Sequence, residues 1–283
     1  MASSVHPSRM LALQLALGGV LFGAACVDIV SADLGRYVER EEKHFTVSGK
    51  PSVSLKTFDG SVEVRTWDKP EVQVTIEKRG GSKASTDSIE VRSEQQGSQI
   101  TVEARIPSSH GFHFNESRSA KLIVSVPGDA DLSAASGDGS IDVEGVNGRI
   151  QLRSGDGSIH GRSVSGDLDV NTGDGSVTLS GKLTSLRAHT GDGSVTVRAD
   201  QGSTAGGDWD ITTGDGSVTL TIPDGFGAEL DAHTGDGGIR TEDLTVSNVT
   251  GQISRNSLRG RLGNGGHNLR VRTGDGSITI RRS

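Results

Sequence analysis

Apolar and polar side chains alternate along most of the chain after residue 50, and the tripeptide Gly-Asp-Gly interrupts the alternation repeatedly. Around the copy at 155–157, Ile150 and Leu152 lie four and two positions before Ser154, and Ile159 directly follows the motif. Such period-two alternation over short segments is typical of strands with one buried face. The pattern predicts repeated units of strand, tight turn and strand, and no substantial helix.

The turn motif Ser/Thr-Gly-Asp-Gly-Ser/Gly occurs seven times. The first four copies begin 18 residues apart, and the later spacings are 23, 21 and 39 residues. We expect the longer units to be coils with inserted loops, and the last spacing could hold a degenerate copy near 263–266. The copies are Ser136–Ser140, Ser154–Ser158, Thr172–Ser176, Thr190–Ser194, Thr213–Ser217, Thr234–Gly238 and Thr273–Ser277.

Two all-β architectures satisfy this repeat. In a single-chain parallel β-solenoid, coils of about 18 residues stack at ~4.8 Å and equivalent positions form columns. In an antiparallel β meander, each Asp-Gly would close a hairpin between sequence neighbours. The constant spacing of the first four copies favours the solenoid, because it keeps Ile and Val in register from coil to coil. In either case the glycines are expected to supply backbone freedom for a tight reversal.

The segment before residue 135 carries longer and more charged strand patterns. Residues Val53–Val64 repeat the unit with Phe58 in place of the first glycine. We therefore expect an N-terminal β-region at 33–134 that is continuous with the repeats at 135–283 and caps the first coil. Its further predicted strands are Glu71–Lys78, Ser88–Arg92, Gln99–Ile106 and Lys121–Val126.

The N-terminus has the pattern of a secretory signal peptide. Arg9 precedes an uncharged, mostly apolar run of 16 residues, Met10–Ala25, which is short for a membrane span. Two processing sites stay open. Gly-Ala-Ala before Cys26 resembles a lipobox with glycine in place of the usual leucine, which predicts a leader at 1–25 and lipidation of Cys26. Val-Ser-Ala before Asp33 predicts a leader at 1–32.

Composition narrows the class of protein further. Glycine accounts for 41 of 283 residues, and the seven motifs hold 14 of them, so the excess is largely a periodic turn signal. The low aromatic content of 3% suits a thin core of small side chains. A net charge of −7 without a Lys/Arg cluster argues against nucleic acid as a partner. Cys26 is the only cysteine, so no intrachain disulfide can form.

The order of these features resembles a known family. Phe45 and Val47 lie in a charged opening segment, which is followed by a strand, Asp-Gly-Ser, a second strand and Trp67. Val-Pro-Gly at 126–128 then precedes the repeats. This is similar to a bacterial exported β-strand-repeat family of unknown function, described as adhesins, over residues 36–283. The resemblance implies an exported, envelope-associated β-solenoid, and it supplies no catalytic motif or cofactor.

The motif aspartates are the first candidates for chemistry. Stacked coils would align them in a column of carboxylates ~5 Å apart, and a cation such as calcium would relieve the repulsion. The motif lacks the paired Gly-rich order of calcium-binding β-helices, so we favour an Asx-type turn that bonds its own backbone. The seven weak calcium candidates are Asp138, Asp156, Asp174, Asp192, Asp215, Asp236 and Asp275.

Other chemistry has little support in the pattern. His189 and His233 each precede Thr-Gly-Asp-Gly and are expected in one outward column, without the ligand set of a zinc site. No Gly-x-Ser-x-Gly elbow is present. A polysaccharide-acting β-helix enzyme would place aspartate beside basic groups on one sheet face. Its basic candidates are Arg153, Arg162, Arg187 and Arg198.

The sequence thus predicts a non-enzymatic protein of the cell envelope, in the periplasm or at the cell surface, that acts as an adhesin or binding scaffold. Its expected partners are an envelope protein, a polysaccharide or a second copy of itself, with no cofactor and no membrane span in the mature chain. The alternatives are a polysaccharide-acting enzyme and a calcium-stabilised solenoid.

Overall fold

The structure, a computed structural model of the chain, describes residues 26–33, 36–107, 117–250 and 254–283. Most of these residues lie in strands, so the predicted all-β class is confirmed. One short helix, α1 (Lys83–Asp87), lies between β5 and β6. The strands are β1 (Cys26–Asp33), β2 (Arg36–Thr46), β3 (Ser52–Thr57), β4 (Val62–Trp67), β5 (Glu71–Gly80), β6 (Glu90–Gln96), β7 (Gln99–Arg105), β8 (Arg118–Pro127), β9 (Asp131–Ser136), β10 (Ile141–Glu144), β11 (Asn147–Ser154), β12 (Ile159–Thr172), β13 (Val177–Thr190), β14 (Val195–Ala199), β15 (Trp209–Thr213), β16 (Val218–Ile222), β17 (Ala228–Thr234), β18 (Ile239–Glu242), β19 (Val246–Ser247), β20 (Ser257–Leu262), β21 (Asn268–Thr273) and β22 (Ile278–Arg282).

Strands of the repeats pair in parallel with their counterparts in other repeats. Strands that precede a turn form one set, which we call the pre-turn stack: in spatial order β7, β3, β9, β11, the second half of β12, the second half of β13, β15, β21 and β17. Strands that follow a turn form the post-turn stack: β8, β4, β10, the first halves of β12 and β13, β14, β16, β22 and β18. Parallel pairing is incompatible with the antiparallel meander for these strands.

The register matches the repeat. Ile141 pairs with Ile159, Ile159 with Val177, and Val177 with Val195, so the first apolar residue after each turn forms one column. The inward residues of both stacks are buried and make one continuous apolar cluster. Its largest member is Trp209, which packs edge-on against Phe226 at 5.1 Å between ring centroids. Small aliphatic side chains therefore fill a thin core, as the composition predicts.

The spatial order of the coils departs from the sequence order at both ends. The last coil in the chain, β21–β22, lies between β15–β16 and β17–β18. At the other end, β3–β4 lies between β7–β8 and β9–β10. No degenerate turn motif occupies 263–266. These residues link β20 to β21, and three of their glycines, Gly263, Gly265 and Gly266, have positive φ.

Antiparallel strands finish each stack. The post-turn stack continues from β8 through β5 and β2 to β1, and the pre-turn stack ends in β6. At the opposite end, β20 pairs antiparallel with β17 and β19 with β20. Since β3 and β4 pair in register with β9 and β10, the N-terminal strands share one sheet system with the repeats.

Candidate functional site

The turn edge is built on the hydroxyl group that begins each motif. Thr190 donates its hydroxyl to the carbonyl of Gly175 in the adjacent coil at 2.8 Å, and Thr213 donates to Gly193 at 2.7 Å. Thr213 also accepts from its own turn, from the amide of Gly216 at 3.2 Å. The same donor position recurs along the edge in Ser136, Ser154, Thr172, Thr190, Thr213, Thr234 and Thr273. These side chains are buried, so the first motif position is structural.

The motif glycines allow the turns of adjacent coils to stack closely. They are not among the residues with positive φ, so the expectation that they supply backbone freedom for the reversal is wrong. A Cβ at Gly193 would overlap the carbonyl oxygen of Gly175, and a Cβ at Gly216 would overlap that of Gly193. Glycine is required because the turns of adjacent coils pack backbone against backbone.

The seven motif aspartates lie exposed along this turn edge, one for each stacked turn. A carboxylate oxygen of Asp138 lies 3.3 Å from where a Cβ of Gly155 would stand, and Asp156, Asp174, Asp192 and Asp215 lean toward a neighbouring turn in the same way. Within the described ranges, no three or more His, Cys, Asp or Glu side chains form a group suited to a metal ion. The favoured Asx-type turn is not formed: among the described residues no motif aspartate side chain bonds its own backbone, and the Ser or Thr hydroxyl accepts from the turn amide instead. Calcium binding by this row stays an untested alternative, and an unchanged melting temperature in chelator would contradict it.

The outer face of the pre-turn stack carries a column of alternating charge. One register position is occupied in turn by Asp169, Arg187, Asp210, Arg270, Asp231 and Arg259. Contacts link neighbours along this column: Arg187 lies 4.0 Å from Asp169, and Arg259 lies 3.2 Å from Asp231. Arg153 joins Asp169 from the side at 3.9 Å. Arg153 and Arg187 are thus partners of carboxylates in adjacent coils. The expectation that they share one face with Arg162 and Arg198 is wrong, because those two arginines lie on the post-turn stack.

The two histidines expected in one column do share it, but they are not neighbours. His189, Thr212, Arg272 and His233 follow one another in register, so two strands separate the imidazoles. Both histidines are exposed. They do not approach one another closely enough to act together on a ligand atom.

Two open clefts lie on the outer face of the post-turn stack. The first, of about 150 Å³, is lined by Glu63, Arg65, Asp142, Glu144 and Arg162. Arg162 lies 3.7 Å from Asp142 and 3.9 Å from Glu144, so both acids already have a basic neighbour. This is the arrangement of acidic and basic groups that the enzyme alternative requires, but no aromatic residue lines it for stacking on a sugar ring.

The second cleft, of about 400 Å³, lies at the far end of the same face. Arg198, Arg281 and Arg282 line it together with Thr221, Glu242 and Asp243. Of these residues, the sequence singled out only Arg198. Arg281 occupies the second outward position after the last motif. The register Arg198–Thr221–Arg281 becomes visible only once the last coil is known to lie beside β16.

Two carboxyl groups, those of Glu77 and Asp131, have a lowered pKa. Burial alone would raise the pKa of Glu77, but hydrogen bonds and charge from Arg40 and Arg79 outweigh it and hold the pKa below its usual range. A contact with Lys50 and the backbone amide of Arg149 likewise lowers the pKa of Asp131. Glu77 and Asp131 lie in the N-terminal part of the fold, where their ion pairs connect strands. Neither residue lines a cleft.

The predicted leader at 1–25 lies outside the described residues. Cys26 begins β1, whose backbone pairs antiparallel with β2 in the register Cys26 to Glu42. Lipidation of Cys26 stays a prediction. Within the part of the chain that the structure describes, no helix has the length and apolar character needed to cross a bilayer.

Three solved bacterial proteins align with most of this chain at low sequence identity. A candidate cell adhesion protein of Clostridium sporogenes is 13% identical, with 86% of this chain and 100% of that chain covered and a TM-score of 0.39. A candidate adhesin of Bacteroides fragilis is 12% identical, with 86% and 97% covered and a TM-score of 0.39. A candidate lipid-binding protein of Parabacteroides distasonis is 14% identical, with 86% and 96% covered and a TM-score of 0.36.

No curated protein matches the chain. The Toastrack family DUF4097 matches residues 52–281. This stretch begins at β3, the first strand of the parallel stacks, and ends within β22, so it contains every turn motif. The resemblance drawn from the repeats is thereby confirmed, and the chain belongs to the Toastrack family DUF4097.

Proposed function

We propose that the chain is an exported protein of the cell envelope whose two stacks form a β-solenoid that binds other molecules and performs no catalysis. The observation that carries this proposal is the register of the outer side chains. Because equivalent positions recur from strand to strand, each outer face repeats its side chains at the ~4.8 Å spacing of neighbouring strands. A regular face of this kind suits multivalent contact with an extended partner, as in other repeat proteins.

The charges support the same proposal. On the pre-turn face, acids and arginines of adjacent coils neutralise one another, as Arg272 and Asp231 do at 2.8 Å. The acids and bases of the first post-turn cleft are paired in the same way. Groups held in such pairs fasten coils to each other.

The binding role is tested with the full chain expressed with its own leader in a bacterial host. The recovered protein is incubated with envelope fractions, with a panel of glycans and with itself. We expect saturable binding to an envelope protein, a polysaccharide or a second copy, without release of sugar products. Absence of all three kinds of binding would overturn the proposal, and product release from an acidic glycan would replace it with the enzyme alternative.

The anchor is tested separately. We propose lipidation of Cys26, which would leave β1 intact and attach the lipid at its first residue. Cleavage before Asp33 would instead remove most of β1 from the edge of β2. Labelling with a fatty-acid analogue in wild type and in Cys26→Ser distinguishes the two: label that is lost in the variant supports the anchor, and an unlabelled protein beginning at Asp33 contradicts it.

A further inference from the structure

The arginines at the far end of the post-turn stack differ from those of the pre-turn face. Arg240 on β18 and Arg281 on β22 have no carboxylate within 4.0 Å among the described residues. Both point outward on neighbouring strands, with Arg240 beside Thr279 and Arg281 two positions further along. Glu242 and Asp243, which line the same cleft, likewise have no basic partner within 4.0 Å among the described residues, so this end of the face holds unpaired charge of both signs.

The side chain of Arg281 is directed into the second cleft. Glu242 stands opposite it in the register of β18 and β22, yet the two form no ion pair. Arg281 instead donates from Nε to the hydroxyl of Thr221, one coil away, at 3.0 Å. The remaining N–H groups of its guanidinium are left without a described acceptor.

Thr221 forms the floor of this cleft. The residue is 8% exposed, and its hydroxyl accepts from Arg281 while its own O–H has no acceptor among the described residues. On the other side of Thr221, Arg198 follows in the same register column, 3.8 Å from Asp200. Arg198 and Arg281 thus flank Thr221 from the strands on either side, and all three side chains carry N–H or O–H donors that can bond an oxyanion.

The acids of the cleft lie at its rim. Glu242 and Asp243 line the cleft on the side of β18. Asp224, which does not line it, pairs with Arg282 at 3.1 Å. Glu242 and Asp243 would repel an anion that approached from that side and confine it to the position above Thr221. The volume of about 400 Å³ admits a sugar-sized group.

We propose that this cleft binds a carboxylate or phosphate group carried by an acidic envelope polymer, with Arg281, Arg198 and Thr221 as the contacting residues. The inference rests on the proposed binding function and names the class of its ligand. The three residues lie on the adjacent strands β14, β16 and β22. A polymer that contacts all three would therefore run perpendicular to the strands. Bonds from guanidinium to oxyanion are strengthened because donor and acceptor are both charged.

The test measures binding of the intact mature protein to three probes by calorimetry: polygalacturonate for carboxylate, inorganic polyphosphate for phosphate, and dextran as the neutral polymer. We expect binding to one or both anionic probes, weakening with salt as charge pairing requires, and none to dextran. Which anionic probe binds more tightly identifies the source of the oxyanion. Equal binding of dextran, or no binding of either anionic probe, overturns the proposal.

Variants locate the site. Arg281→Ala and Thr221→Val should each weaken binding, the first by about tenfold, whereas Glu242→Gln should strengthen it by removing a repelling charge. Arg187→Ala is the matched control, because Arg187 is an exposed arginine on the other stack. An equal loss in Arg187→Ala would show general charge attraction and contradict the site.

A last comparison separates this site from the broader function. If the double variant Arg198→Ala with Arg281→Ala still binds envelope fractions as wild type does, the cleft is not the site, although the binding function stands. If wild type binds no envelope fraction, the broader function fails whatever the probes show. Circular dichroism and melting temperature of each variant confirm that it is folded.

Discussion

At the scale of single residues, the first position of each motif matters more for stability than the conspicuous aspartate. The aspartates are exposed, whereas the preceding Ser or Thr is buried and bonds two backbones at once. Loss of such a hydroxyl leaves a buried carbonyl and amide without partners, which costs more than the net worth of a hydrogen bond.

We therefore expect Thr213→Val to lower the free energy of unfolding by about 1–3 kcal/mol. Valine keeps the shape and the preference for strands, but it removes the bond to Gly193 and the bond from Gly216. Thr219→Val is the matched control, because the hydroxyl of Thr219 has no partner among the described residues. Urea unfolding of both variants is the measurement, and similar losses in the two would contradict the role of the hydroxyl.

Glu77 makes the stability of the fold depend on pH. Because Arg40 and Arg79 hold its pKa below the unfolded value, its contribution is present above that value, ~4.3, and is lost as pH falls through the lower folded pKa. We expect Glu77→Gln to be less stable than wild type at pH 6–8, and the difference to shrink below about pH 4.5.

Urea unfolding of wild type and Glu77→Gln across this pH range provides the test. Glu94→Gln, at an exposed glutamate on β6 without a described partner, should match wild type at every pH. A difference between wild type and Glu77→Gln that stays constant down to pH 3 would show that the ion pairs do not carry the effect.

At the scale of elements, the sequence predicted much of what the structure contains. The alternation around the turn motifs identified the repeat strands, and the patterns at 71–78, 88–92, 99–106 and 121–126 correspond to β5, β6, β7 and β8. Helix α1 was missed because five residues are too short to show a helical period. Its signal is local: Ser82 and Ser85 form a reciprocal capping box.

The order of the coils could not be read from the sequence. Every repeat presents the same Ile and Val columns, so the apolar pattern fits β21–β22 equally well beside β16 or beyond β18. The choice is made by particular contacts, such as the Gly-rich link at 263–267 and the amide of Asn268 bound to Asp208 at 3.1 Å. For the same reason the cleft around Thr221 was not foreseen.

Disulfide trapping tests this order. In a Cys26→Ser background, Thr219→Cys with Thr279→Cys should form a disulfide, because the two residues are adjacent in register on β16 and β22. Thr279→Cys with Arg240→Cys should do so too. Thr219→Cys with Arg240→Cys is the control: these positions lie two strands apart, roughly 10 Å, and a disulfide between them would support the sequential order instead.

At the scale of the whole molecule, charged side chains cover the core at the N-terminal end of the stacks. On β2 and β5, Glu39, Glu41, Lys43 and Lys78 lie on the same face as the core residues, and they are largely buried. Lys78 lies 3.8 Å from Glu39 and 3.9 Å from Glu41. Charges on the core face of these last strands keep that face from offering an apolar surface to another stack.

We expect Glu39→Val with Lys78→Val to increase self-association, because the end of the core would become apolar without changing net charge. Light scattering across a concentration series is the measurement. Lys56→Val with Glu103→Val removes an equivalent pair, 3.1 Å apart, from the outer pre-turn face. If both double variants assemble alike, general surface hydrophobicity and not the end of the stack is responsible.

The interior position of the last coil, β21–β22, also constrains the order in which the strands can fold. Residues 268–282 form the last described strands to be synthesised, yet they lie between β15–β16 and β17–β18. Until they arrive, β17–β18 has no parallel neighbour and the apolar faces of two coils stay open to water. A chain truncated before these strands therefore lacks an interior coil, which exposes it to proteases. In the complete chain, removing the C-terminal strands would break pairings on both sides of them.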